Sequence, residues 1–297
     1  MVVLFDKKQS IASPTLVPGQ HGFARGEPVE LTIALVNNMP DGALKATERQ
    51  FARLLSGAAG QARVHFHCFS LPSVGRSAAA RAHIDKEYGD IADLGRLKID
   101  GLIVTGAEPA GCTLPQETLW RELTDMLDWA KTNTRSTIWS CLAAHAAVLH
   151  LDGIERHRLP TKCSGILTCA KIADDWLTRG LRGPLKVPHS RLNEVRESDL
   201  VNRGYQVLTR SDAAGVDMFA KQFESRFIFF QGHPNMTPCR CSGNICATSP
   251  ASWPASARII RPFRPTILTQ RLRRSSTPLN GVQRPDATRR WRPNCPG

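Results

Sequence analysis

Residues 137–151 read TIWSCLAAHAAVLHL, and the fold turns on this stretch. Thr137–Ser140 reads as a short buried strand, Leu142–Leu151 as a helix, and Cys141 stands where one becomes the other. A strand that runs directly into a helix sets the junction residue at the helix's positive end, beside N–H groups that have no partner within the helix. A cysteine in that position is favoured as the thiolate. Small cysteines are also common inert core residues, so the junction alone does not decide for catalysis; a partner base is needed. His145 and His150 fall inside the helix and read as packing or surface residues rather than bases.

The rest of the body repeats the same alternation of strand and helix. Leu31–Val36 (LTIALV) is a buried strand, followed by a turn at Asn37-Asn38-Met39-Pro40-Asp41 and a helix over about 43–55. Val64–Phe69 and Gly101–Val104 (GLIV) are further strands, and Trp120, Leu123, Leu127 and Ala130 recur at helical spacing. Tyr205–Thr209, Val216–Ala220 and Phe227–Phe230 read as later, partly antiparallel strands. Strands alternating with helices predict an α/β fold with a mostly parallel sheet flanked by helices. No internal repeat is visible.

The chain has 297 residues, 41% of them hydrophobic, which suffices for a substantial core and excludes disorder throughout. No apolar run approaches the roughly 20 residues that cross a bilayer, and Asp6, Lys7 and Lys8 break any signal-peptide centre. A cytoplasmic protein is expected. Nine cysteines without paired metal-type spacing fit a reducing compartment, with neither a disulfide framework nor a metal site read from the sequence.

The net charge of +13 is unevenly placed: residues 235–297 hold 11 Arg against one acid, Asp286, and so carry +10 of it. That segment has no Lys, Glu or His, yet holds 9 of the 20 prolines and 4 of the 9 cysteines, a composition no ordinary folded domain uses. The chain divides into an N-terminal extension over 1–30, a body over 31–234 and an Arg/Pro-rich tail over 235–297 that is expected to be disordered.

Within the body, His233 closes FFQGHP, where Gly232 permits a tight strand end and Pro234 stiffens the exit; a base for Cys141 fits there. Val187-Pro188-His189-Ser190-Arg191 reads as a rigid turn that carries a hydroxyl, an imidazole and a guanidinium, suited to a small polar substrate. Lys162, near Gly165 in PTKCSGI, is a candidate carboxylate contact.

Taken in order, VNNMP, DGLIVTGAEP, WAKTNTRSTIWSCLAAHA, LPTKCSGI, VPHSR, SDAAGV and FFQGHP resemble the homoserine O-succinyltransferase family over roughly 31–234. The resemblance implies a class I glutamine amidotransferase-like (flavodoxin-like) fold. It also implies that Cys141 is the acyl-carrying nucleophile, that His233 is the general base, and that Lys162 and Ser190 contact substrate. The implied reaction is ping-pong and feeds methionine synthesis. Cys141 takes the acyl group from an acyl-CoA, and the homoserine hydroxyl, deprotonated by His233, then accepts it. Backbone N–H groups near Leu142 and in the loop after Thr105-Gly106 would stabilise the oxyanion. Acetyl-using members carry Glu after the TGA element and succinyl users Gly; here that position is Ala110, small enough to favour succinyl-CoA over acetyl-CoA. No bound cofactor is implied, and the family reading leaves room for a homodimer.

The family continues its His-Pro with Glu, Tyr and Asp, the Glu orienting the base; here Asn235-Met236-Thr237 follow. Read one nucleotide earlier, the codons for these residues become xAA, YAT and GAC, which permit Glu-Tyr and force Asp. Continued through Ala247, the shift allows Pro-Leu-Pro-Leu-Gln-Arg-Glu-Tyr-Leu-Arg, close to the family's continuation. The tail therefore reads as out of frame, with Asn235 in place of the orienting Glu and Ala247 in place of a substrate-binding Arg. In serine proteases, exchanging the orienting carboxylate for its amide lowers turnover by about 10⁴. Impaired transfer is expected, with apolar surface exposed where a C-terminal helix is missing.

Two other readings compete. The same Cys-His pair serves an amidotransferase or hydrolase of this fold, which would hydrolyse glutamine without thioester exchange. Alternatively, the Arg-rich tail binds nucleic acid, with steep salt dependence. An out-of-frame tail makes such affinity incidental, so no specific nucleic-acid partner is expected.

Overall fold

The computed structural model of the chain describes residues 29–233 and 235 in full and residues 2–5 by their backbone. Pro234 and the tail beyond Asn235, with its expected disorder, lie outside the described residues.

A single sheet organises these residues in the order β1-β3-β2-β4-β5-β10-β9-β8-β6-β7. Its first six strands are parallel: β1 (Val2–Phe5), β3 (Arg63–Phe69), β2 (Glu30–Val36), β4 (Gly101–Val104), β5 (Ser136–Ser140) and β10 (Arg226–Phe230). The remaining pairings are antiparallel and bring in β9 (Gly215–Gln222), β8 (Gln206–Ser211), β6 (His157–Lys171) and β7 (Leu185–Glu194). The α/β class is as the sequence predicts.

Alternation along the parallel strands separates two apolar layers. Ala34, Val36, Leu102, Val104 and Trp139 face the layer that holds α3 (Trp120–Asn133) and α4 (Leu142–Asp152). Leu35, Phe66 and Ile103 face α1 (Asp41–Ala58) and α2 (Ala78–Glu87) on the other side. α4 is apolar nearly all round, since both the sheet and α3 cover it, and it ends at Gly153, whose φ of 69° is the left-handed cap that glycine adopts most readily.

Trp139 is the largest of the fully buried side chains. Its ring stacks on Phe227 with centroids 6.0 Å apart, and its Nε1–H donates to Thr137 Oγ1 at 2.8 Å. Trp139→Ala is expected to cost about 3–5 kcal/mol, read as a lowered midpoint in a denaturant titration.

Two boundaries differ from the sequence reading. The 1–30 extension contributes β1, which pairs with β3 at the sheet edge, and β2 starts at Glu30. Val187–Arg191, read as a turn, lies within β7. β7 is the last strand of the order and, among the described residues, pairs only with β6, so Pro188's missing N–H takes nothing from a second neighbour there. No helix among the described residues is long and apolar enough to cross a membrane.

Candidate active site

Because β2, β4, β5 and β10 run parallel, their carboxyl ends meet at one edge, the place where α/β sheets hold their ligands. Chain order also reverses there, with β3 on one side of β2 and β4 on the other. Asn38 and Thr105 lock two of these ends together: Asn38 N–H donates to Thr105 Oγ1 at 2.8 Å, and Asn38 Nδ2 donates to the Thr105 carbonyl at 3.3 Å.

Cys141 leaves β5 with φ 53° and ψ −119°, and among the described residues it is the non-glycine residue with positive φ. Such a conformation costs about 1–3 kcal/mol and persists only where the surroundings impose it. Here Cys141 N–H donates to the Phe230 carbonyl at 2.8 Å, while the Cys141 carbonyl accepts from His145 N–H at 3.1 Å as the first turn of α4.

Gly106 presses on the same turn. A Cβ on it would lie 2.9 Å from the Leu142 nitrogen, 3.0 Å from the Ser140 oxygen and 3.3 Å from Cys141 Cβ. Backbone atoms cannot swing aside as a flexible side chain can. Gly106→Ala is therefore expected to displace the turn and slow acylation or alkylation of Cys141 by roughly 10², with the circular dichroism spectrum retained.

His233 is buried at the end of β10, its backbone N–H donating to the Pro188 carbonyl at 2.9 Å. Burial favours the neutral ring, yet its pKa is raised: the Cys141 charge and hydrogen bond, the Ser190 carbonyl and the Asp217 charge all favour imidazolium. Burial likewise works against the Cys141 thiolate. The His233 charge and hydrogen bond, the Leu142 N–H and the more distant Arg191 outweigh it and hold the thiol below its ordinary pKa. The pair is thus set toward thiolate and imidazolium. Asn235, which follows His233 by two residues, donates from Nδ2 to Gln50 Oε1 at 3.1 Å.

Among the other predicted positions, Ser190 is half-buried, and its backbone carbonyl is the group that accepts from the His233 ring. Lys162 is exposed on β6 and lines a pocket of about 400 Å³ with Leu159, Leu167, Glu194 and Arg191. Arg191 is itself buried, donating to the Asn193 carbonyl at 2.8 Å and to the Ala214 carbonyl. Its charge reaches Cys141, so the pocket and the cysteine share one cation. Ala110 is exposed in the loop after β4.

Three contributors carry no signal in the sequence. Glu117 is buried and accepts Ala110 N–H at 2.9 Å and Gly111 N–H at 3.1 Å on Oε2, fixing the loop that holds Ala110. Arg156 feels both the Glu117 and the Cys141 charges, although its burial and Arg158 draw its pKa down. Gln231 is buried and satisfied at every atom that its neighbours reach. It takes Val195 N–H at 2.7 Å, gives to the Val195 and Val216 carbonyls at 3.1 and 2.8 Å, and meets His145 Nε2 at 3.0 Å. His145 is buried, which brings its pKa down to about 4 and keeps it neutral, a packing histidine as its sequence position indicates.

A cysteine at a strained strand-to-helix turn, with a histidine at the end of the neighbouring parallel strand, places the chain among α/β proteins built around a Cys-His elbow. A family model, Homoserine O-succinyltransferase, matches residues 17–241. The chain belongs to the homoserine O-succinyltransferase family, an acyltransferase family of methionine biosynthesis. It is similar to the homoserine O-succinyltransferase of Bradyrhizobium japonicum at 58% identity over 235 residues, covering 79% of this chain and 72% of that protein. The Rhodopseudomonas palustris protein of the same name is 57% identical over 240 residues with the same two shares. The Methylorubrum extorquens protein is 47% identical over 215 residues, 72% of this chain and 63% of that one. Among solved structures, the glutaminase domain of Trypanosoma brucei CTPS aligns with a TM-score of 0.49 at 14% identity, over 70% of this chain and 88% of that one.

Proposed function

We propose that this chain carries a succinyl group from succinyl-CoA to the hydroxyl of homoserine through a Cys141 thioester, and that its second half-reaction is impaired. The observation that carries the reading is the Cys141–His233 pair, seated at a strained turn beside the Leu142 N–H, in which each side chain favours the charged form of the other.

The Cys141 thiolate adds to the thioester carbonyl, and the oxyanion faces the Leu142 N–H and the loop after Gly106. As the carbon–sulfur bond to CoA breaks, imidazolium His233 gives its proton to the departing CoA sulfur. Neutral His233 then takes the proton of the homoserine hydroxyl, whose oxygen attacks the Cys141 thioester; Cys141 leaves as thiolate and the pair is restored. Lys162 and Arg191, at the shared pocket, suit the carboxylate of a substrate, and Ser190 sets the His233 ring through its carbonyl. Ala110, whose loop Glu117 pins, leaves room for the longer acyl chain.

The impairment rests on two substitutions relative to the family. Asn235 is held by Gln50 and offers no carboxylate, and Ala247, outside the described residues, replaces the Arg. A cytoplasmic location and a homodimer are part of the same reading.

The test follows free CoA. Succinyl-CoA alone is expected to release about one CoA per chain, faster than acetyl-CoA does, and homoserine is expected to add only slow turnover. Preference for acetyl-CoA would overturn the donor assignment. Ammonia release from glutamine without CoA release would replace the reading by an amidotransferase.

A further inference from the structure

We infer that Cys169, His189 and Asp217 form a binding site for a thiophilic divalent cation of the zinc class, adjoining the Cys141–His233 pair but sharing no residue with it. The three come from β6, β7 and β9, and among the described residues their ligand atoms all lie within 4.8 Å of one another. All three side chains are buried: Cys169 and His189 are 0% exposed and Asp217 1%.

The argument begins with polar atoms left over. Both His189 ring nitrogens and Asp217 Oδ1 are buried with no hydrogen-bond partner, although Nε2 and Oδ1 approach to 3.4 Å. A buried imidazole with neither nitrogen satisfied is costly, and such groups call for a water or an ion. Asp217 is otherwise held by Thr209 Oγ1, which donates to Oδ2 at 3.0 Å, and by the Gly232 N–H, while Oδ1 lies toward His189.

The donor set then selects the ion. Thiolate, imidazole and carboxylate together are ligands of zinc, whereas magnesium and calcium take oxygen. Tetrahedral zinc, with bonds of about 2.0–2.3 Å, sets its ligand atoms roughly 3.3–3.7 Å apart. The His189–Asp217 separation already matches, and the longest separation in the set has about 1 Å to close. Three protein ligands leave a fourth position for water. On binding, Cys169 forms the metal–sulfur bond and its thiol proton passes to solvent.

Charge is consistent with this. A divalent ion held by one thiolate and one carboxylate is neutral as a unit, so neither Arg191, already engaged with the Asn193 and Ala214 carbonyls, nor His233, whose charge also reaches His189 and Asp217, opposes it.

Full-length protein stripped with a chelator is titrated with Zn²⁺ against a chromogenic competitor, and separately loaded with Co²⁺. The expected result is one equivalent per chain and a thiolate-to-cobalt charge-transfer band. Cys141→Ala should keep both. Cys169→Ala should lose the band and weaken binding by at least about tenfold, while its unfolding midpoint without metal stays close to that of the unsubstituted protein. Zn²⁺ should raise the unsubstituted protein's melting temperature and leave that of Cys169→Ala unmoved. Absence of stoichiometric binding would overturn the inference. So would binding that Cys141→Ala abolishes and Cys169→Ala spares, which would place the ion on the Cys141–His233 pair.

Discussion

Cys141→Ala is expected to abolish CoA release from succinyl-CoA, leaving no burst and no turnover above the uncatalysed rate, while the protein stays folded. In the proposed reaction the sulfur is the atom that accepts the acyl group, and among the described residues no second thiol is placed to substitute for it. Of the other described cysteines, Cys68 and Cys169 are buried, and burial pushes the pKa of the first far up and that of the second up to about 12. Cys112 is exposed and Cys163 lies along β6, neither at a strand-to-helix turn. Cys141→Ala also removes the largest of the groups that favour imidazolium at His233, so the alkaline shift of that ring should shrink in a histidine NMR titration. The unfolding midpoint should stay close to that of the parent chain, since alanine keeps the Cβ and with it the strained backbone of the turn.

His233→Asn is expected to slow acylation by about 10²–10⁴-fold and to change its pH dependence. In the parent chain, burial opposes the Cys141 thiolate, but the His233 charge and hydrogen bond lead the groups that lower the thiol's pKa. Removing the imidazolium leaves burial less opposed, so the thiol's pKa rises. Iodoacetamide labelling of Cys141 should then move to higher pH, whereas in the parent chain it proceeds below the ordinary thiol range. The productive window also has an upper limit. In the proposed reaction CoA departs with the proton of imidazolium His233, so acylation should fall as pH rises through the raised pKa of that ring. A labelling profile unchanged by His233→Asn would show that the ring does not support the thiolate.

How far the sequence revealed this arrangement varies from element to element. LTIALV and GLIV were legible because strands covered on both faces are nearly all apolar. The Cys141 turn was legible because a strand pattern gives way to a helix pattern with one residue between them. The β6–β7 hairpin was not, since its outer face is polar, and Pro188 is a turn signal that only an edge strand tolerates. α2 was hidden for a different reason: AAARAHIDKE buries only Ala80, so it has little apolar periodicity to show.

The site divides in the same way. Cys141 and His233 sit at strand ends that punctuation marks, and the structure brings the two close enough for each to shift the other's pKa. Glu117 acts through two backbone N–H groups on a loop, Ser190 through its carbonyl, and Gln231 through a buried network that spans three segments. Such contacts depend on tertiary position and leave no spacing along the chain. Cys169, His189 and Asp217 likewise converge from three strands, which is why no metal-ligand spacing announced them.

The central claim is that Cys141 carries the acyl group and that transfer beyond it is impaired. Intact-protein mass spectrometry after mixing with succinyl-CoA, with and without homoserine and alongside Cys141→Ala, tests it most directly. The account predicts one succinyl adduct per chain that requires Cys141 and persists when homoserine is added. An adduct that also forms on Cys141→Ala, or no adduct on a folded chain, would contradict it.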